Sequence, residues 1–275
     1  MPKKLYYITT EITPFANPTG LGDFSVHVPL KLQEKGHDIR TIIPKYGYVS
    51  ERKYILREVI RLREIPFEFL GEGRIASAKS AFIPKTRVQI YFLEDEIWFK
   101  PLTNLVYKSK NGRILADNTI RYGFFSKAVL STLPHLFWTP HIFLCNGWQT
   151  AMLPGLYKQH YEGLNKFYKK IKTILLIHEN DEYAQVARSD LDSMEIPIDS
   201  SLKGNKLNAY EVAAFNANGI VIFNRPSSSI SKKLMKLPGL VKNKEKISII
   251  ELSDDENPDY DSISEDLNTI IKKTS

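Results

Sequence analysis

Three short segments of this 275-residue chain carry residue types whose spacing suits chemistry. The first runs Glu11-Ile12-Thr13-Pro14-Phe15-Ala16-Asn17-Pro18-Thr19-Gly20-Leu21-Gly22-Asp23, between a β-branched, aromatic run and an apolar helical period. Glycines at such a junction let backbone N–H groups approach an anion, and the helix N-terminus adds partial positive charge. A tight turn into a helix cap needs the same residues, so both readings stand on spacing alone. The second segment, Asn146-Gly147-Trp148-Gln149-Thr150, follows another apolar strand pattern. Its Trp148 and Thr150 suit a core position and a cap as well as a ligand site. The third begins at His178, at the end of the apolar run Lys172–Ile177, where open α/β sheets place ligand-contacting residues. A hydrogen-bonded structural histidine is the alternative there. Glu179, Asp181 and Glu182 beside it would repel an anion at close range, yet suit hydroxyls or a cation. Cys145, the single cysteine, lies inside an apolar run and reads as a buried, inert thiol; one cysteine excludes an internal disulfide framework.

These segments need a scaffold, and the hydrophobic periods supply one. Lys4 to Glu11 reads as a strand, Phe24, Val28 and Leu32 mark a helix that Gly36 closes, and Asp38 to Pro44 is a second strand. That βαβ order requires parallel pairing. Residues 55–110 read as an insertion of antiparallel or mixed strands and hairpins, with alternation at Val59-Ile60-Arg61-Leu62-Arg63 and from Arg87 to Phe92. A helix from Asp117 to Leu133 follows. The alternation then resumes: strand His141–Cys145, helix Trp148–Tyr161, strand Lys172–Ile177, helix Leu207–Asn216, strand Gly219–Phe223, helix Ser228–Leu237. The expected fold class is therefore α/β, a Rossmann-like, doubly wound, mostly parallel sheet with an inserted β-hairpin region. Residues 1–250 form the domain, and 251–275 form an acidic tail with a short helix from about Ile263.

Composition narrows the function classes. Hydrophobic residues at 43% and charged residues at 25% are ordinary globular usage. The longest apolar runs fall far short of the ~20 residues a membrane span needs, and the N-terminus reaches Thr9, Thr10 and Glu11 too early for a signal peptide. The expectation is a cytoplasmic protein without a membrane partner. The net charge of +7 hides an asymmetry: residues 251–275 carry eight acidic groups against two lysines, leaving +13 on the remainder. A positive body suits phosphate-bearing ligands, anionic polymers or simple solubility. Its lysines and arginines are scattered through amphipathic elements, so no nucleic-acid partner is expected.

The first segment closely resembles the opening motif of bacterial glycogen synthases and plant starch synthases, Ser-Glu-Val-Ala-Pro-Phe-Ala-Lys-Thr-Gly-Gly-Leu-Gly-Asp. Glu11, Pro14, Phe15, Ala16, Gly20, Leu21, Gly22 and Asp23 stand in their places. Collinear matches follow at Lys35-Gly36-His37-Asp38-Ile39-Arg40, Ile43-Pro44-Lys45-Tyr46-Gly47, Asp117-Asn118, Arg121-Tyr122, Phe125-Ser126-Lys127-Ala128, Trp148-Gln149-Thr150-Ala151 and Ile177-His178. The resemblance implies one half of a two-domain GT-B glycosyltransferase, which moves glucose from ADP-glucose to an α-1,4-glucan with retention and without a metal or other cofactor. It implies His178 as the catalytic residue, and Asn17, Thr19, Gly20, Gly22, Asp23, Asn146, Trp148, Gln149 and Asn180 as substrate-binding positions. It also implies a second domain with the nucleotide pocket, contributed by a separate polypeptide or within a homo-oligomer. The sequence departs from the motifs at three places, one of them Glu179-Asn180-Asp181-Glu182-Tyr183, which replaces Asn-x-x-Tyr-Gln-Gly. Asn17 replaces a lysine, and Asn146-Gly147-Trp148-Gln149-Thr150 replaces His-Asp-Trp-His-Thr, losing a sugar-binding aspartate and two histidines. A neutral amide does not offset phosphate charge. The resulting expectation is a glucosyltransferase domain inactive by itself; the alternative is a non-catalytic glucan- or nucleotide-sugar-binding regulator, a pseudoenzyme.

Overall fold

The computed structural model describes residues 1–180, 182–254 and 258–274. Asp181, one of the three carboxylates after His178, and Asp255 and Glu256 of the acidic stretch lie outside the described residues.

Twelve strands are described. In chain order they are β1 (Lys4–Ile8), β2 (Asp38–Pro44), β3 (Arg57–Glu58), β4 (Ile65–Phe69), β5 (Glu72–Phe82), β6 (Gln89–Glu94), β7 (Ile142–Asn146), β8 (Lys172–Ile177), β9 (Gln185–Ala187), β10 (Lys206–Asn208), β11 (Gly219–Asn224) and β12 (Ile247–Glu251). Ten form one sheet in the order β12-β11-β8-β7-β1-β2-β6-β5-β3, with β4 also paired to β5. The seven strands from β12 to β6 are mutually parallel. All but the edge strand β12 are largely buried on both faces, which explains why IFLCN, KTILLI and GIVIFN are unbroken apolar runs rather than alternating ones. Chain order reverses between β1 and β7, and the crevice at the carboxyl ends beside such a switch point is where doubly wound sheets bind ligands.

The insertion is hairpin-built as expected, β5 pairing antiparallel with β3, β4 and β6. The Val59–Arg63 alternation is not a strand, however. Ile60–Leu62 is a single 3₁₀ turn that buries Leu62 alone, with Ile60 out in solvent. The expected helix Trp148–Tyr161 is broken into short helical turns at 148–150, 153–156 and 157–161.

Four helices reach eight residues among the described ones: α1 (Leu21–Glu34), α2 (Asn118–Ser131), α3 (Ala209–Asn216) and α4 (Tyr260–Thr274). The last starts three residues before the expected Ile263 and docks on α1. It buries Ile263, Leu267 and Ile271, and its rim carries the ion pairs Lys31–Asp261 (2.8 Å) and Lys35–Glu265 (2.6 Å). The chain just before it adds β12, an apolar edge strand not among the strands expected from the sequence. None of the described helices is long and apolar enough to cross a membrane.

Candidate functional site

The glycine loop is held by a carboxylate with no exposed surface. Glu11, just past β1, accepts hydrogen bonds from Thr19 N–H (3.1 Å), Thr19 Oγ1 (2.8 Å) and Tyr107 Oη (2.8 Å). The Tyr107 hydroxyl in turn accepts from Thr10 Oγ1 at 2.7 Å. Burial raises the Glu11 pKa above the ordinary carboxylate range, and these donors pull against that rise. Thr19 and Gly20 are thus tied back to the sheet although both sit at the surface.

Gly20 takes a left-handed conformation (φ 89°) at the start of α1, which favours glycine. Gly22 is constrained differently: a Cβ there would come 2.8 Å from the Ala16 carbonyl oxygen and 2.8 Å from Asn17 Oδ1. Asn17, at the surface, folds back onto the helix start, accepting from Gly22 N–H at 2.9 Å and donating to Asp23 Oδ2 at 3.4 Å. It satisfies one of the orphan N–H groups of the first helical turn, and Asp23 complements the helix dipole.

At the end of β7, the buried Asn146 side chain donates from Nδ2 to Thr9 Oγ1 and Ser25 Oγ, both 3.2 Å away. Those hydroxyls spend their own protons on the carbonyls of Glu11 and Leu21. The amide orientation follows, and Asn146 Oδ1 must accept from His178 Nε2 at 2.7 Å. The His178 ring stacks on Phe223 (4.6 Å, 9°) and meets the edge of Phe24 (4.4 Å). Burial, assisted by the Arg225 charge, pushes its pKa down to about 3. At neutral pH His178 is therefore an uncharged imidazole with its proton on Nε2. Nδ1, without a partner among the described residues, is left as an acceptor.

His178, Thr19 and Gly20 share one cavity of about 300 Å³, whose wall also includes Phe24, Phe223, Arg225 and Tyr260. That is the lower end of the small-molecule range. Other sequence-derived positions lie elsewhere. Asn17 and Asp23 serve the helix start, and Asn146 stands behind His178. Trp148 is buried among aromatic rings, stacked on Tyr183 (5.9 Å, 9°) with its edges toward Tyr107 and Tyr122. Gln149 is buried as well, its Oε1 without a partner among the described residues. Asn180 accepts from Asn208 Nδ2 at 2.9 Å, which braces the start of α3.

Arg225 and Tyr260 escaped sequence reasoning. Arg225 directly follows β11, as His178 directly follows β8, so the rule that singled out His178 applies to it equally. Tyr260 reaches the cavity only because α4 docks on α1, where it stacks on His27 at 4.4 Å; no local signal marks it.

A family model described as the starch synthase catalytic domain matches residues 4–233. The glycogen synthase of Chlorobium limicola is 35% identical over 175 residues, covering 64% of this chain and 35% of its own length. That of Pelodictyon phaeoclathratiforme is 34% identical over the same shares. The structure of the catalytic domain of starch synthase IV from Arabidopsis thaliana, bound to ADP and acarbose, superposes with a TM-score of 0.75 at 22% identity, covering 91% of this chain and 52% of that one. The last likeness is one of fold, that of a GT-B glycosyltransferase domain. The chain spans about a third of the length of the curated relatives it matches. With the family matched over most of its residues and the switch-point site in place, this chain belongs to the starch synthase catalytic-domain family.

Proposed function

We propose that this chain forms the N-terminal lobe of an α-1,4-glucan-forming glucosyltransferase, with a nucleotide sugar and glucan as ligands, and that by itself it binds without transferring glucose. The observation that carries the reading is His178. An imidazole held neutral by burial, proton fixed on Nε2 by Asn146, offers Nδ1 to a sugar hydroxyl at the rim of the glycine loop. The relative with ADP and acarbose bound supports the same ligand classes. Lack of turnover is supported by Asn17, which brings no cation and is engaged in the helix start, and by Gly147, which brings no carboxylate. Losing one well-placed transition-state partner costs a factor of about 10²–10³ in rate.

The test is calorimetric titration of the 275-residue chain with ADP-glucose, UDP-glucose and maltooligosaccharide, alongside radiolabelled transfer to glycogen. ADP-glucose or UDP-glucose should bind, His178→Ala should weaken that binding, and transfer should stay at the no-enzyme blank. Transfer well above the blank, abolished by His178→Ala, would overturn the non-catalytic part. Failure of every sugar ligand to bind would overturn the whole.

A further inference from the structure

The cavity beside His178 presents one cation among its described wall residues, and that cation is not in the glycine loop. We propose that Arg225 is the anion-binding residue of this cavity and that it takes the diphosphate of the ligand, the charge that Asn17 does not meet. The diphosphate assignment rests on the reading of the cavity as a nucleotide-sugar site; anion binding by Arg225 does not.

Three observations converge. Arg225 stands at the carboxyl edge of the sheet, one residue past β11, which pairs in parallel with β8 so that Ile222 lies opposite Ile177. It therefore emerges beside His178, on the crevice side. Its guanidinium is anchored through one hydrogen bond, Nη1 to the Ser253 carbonyl at 2.9 Å, and forms no ion pair among the described residues. A guanidinium carries five N–H donors in a planar fork that matches phosphate oxygens, so an oriented fork, with most of its donors unspent among the described residues, is left at the cavity. The same wall includes Gly20 and Leu21, the start of the 14-residue α1, whose partial positive charge acts in the same sense.

The remaining wall chemistry is consistent. His178 is uncharged, so it neither competes with Arg225 for an anion nor adds to it. Glu179 is the opposing group on the rim, and removing its charge should strengthen anion binding. About 300 Å³ holds a sugar or a diphosphate portion rather than a whole nucleotide sugar, so the nucleoside should contribute little to affinity here.

The experiment compares ADP, inorganic pyrophosphate and adenosine by calorimetric titration, on the wild-type chain and on Arg225→Gln, Arg225→Lys and Glu179→Gln. ADP and pyrophosphate should bind, adenosine should not, and affinity should fall with added salt. Arg225→Gln should weaken ADP and pyrophosphate alike by roughly 10- to 100-fold, as expected for lost charge-assisted hydrogen bonds. Arg225→Lys should recover part of the loss, and Glu179→Gln should tighten anion binding. Thermal melting of each variant reports folding. If Arg225→Gln lowers the melting temperature yet keeps the wild-type ADP constant, Arg225 is a strut for Ser253 and the inference is wrong, while the nucleotide-sugar reading stands. If pyrophosphate binds through Arg225 but no nucleotide sugar binds at all, the anion site stands and the function proposed above falls. Absence of both ADP and pyrophosphate binding overturns the inference outright.

Discussion

Gly147 and Gln149 are coupled, and a double-mutant cycle measures by how much. Gly147 sits at φ 81°, ψ 175°, a region essentially confined to glycine, where any other residue costs about 1–3 kcal/mol. A Cβ there would also lie 2.5 Å from Gln149 Oε1 and 3.5 Å from Leu21 Cδ2. Gln149 is 1% exposed, so its amide has little room to retreat, and overpacking of that kind adds about 1–3 kcal/mol. Gly147→Ala should therefore lose roughly 2–6 kcal/mol in all. Gln149→Ala gives up one buried methylene at about 0.8 kcal/mol together with the packing of its amide, but it also removes a buried acceptor with no partner among the described residues, a relief of about 1–3 kcal/mol. Its net effect should stay within about 1 kcal/mol. In the Gln149→Ala background, Gly147→Ala keeps the backbone cost and sheds the overlap, leaving a coupling of about 1–3 kcal/mol. Urea unfolding of the four chains supplies the numbers. Additivity within about 0.5 kcal/mol, or a neutral Gly147→Ala, would refute the reasoning. The same overlap means that an aspartate introduced at 147 will not be accommodated while Gln149 is present.

Two further outcomes follow from burial. Glu11→Ala should cost about 1.5–3 kcal/mol for the lost bonds to a charged acceptor, whereas Glu11→Gln retains most of the volume and can pair with Thr19 and Tyr107 by turning their hydroxyls. Because burial raises the folded-state pKa of Glu11, its stabilising contribution is complete below the unfolded carboxylate pKa and is lost as pH rises through the folded one. Chemical denaturation between pH 4 and pH 8 should thus show Glu11→Gln gaining on wild type as pH rises, and parallel curves would contradict this. Leu267→Ala on α4 should cost about 2–5 kcal/mol, as for a packed core leucine, whereas breaking the Lys35–Glu265 surface pair should cost less than about 1 kcal/mol. Thermal melting of both variants distinguishes a helix belonging to the core from a loosely attached tail; equal, small effects would favour the tail.

The parallel sheet was legible because strands covered on both faces must be apolar at every position, and runs such as Lys172–Ile177 and Gly219–Asn224 announce that locally. The glycine loop was legible for a related reason, since a sharp strand-to-helix turn demands glycine where φ is positive, as at Gly20. His178 was placed by its strand-end position and by the family resemblance of Ile177-His178. What escaped the sequence depends on partners far away along it. The burial of Glu11 depends on Tyr107, 96 positions later, whose hydroxyl donates to it. Trp148 and Gln149 look like ligand positions until aromatic packing buries them. Arg225 and Tyr260 acquire a cavity only when β11 and α4 assemble beside α1. Local propensity and periodicity determine which segments become strands and helices. Which polar groups end up dry, paired or facing a cavity is decided by contacts between elements that no short window of sequence contains.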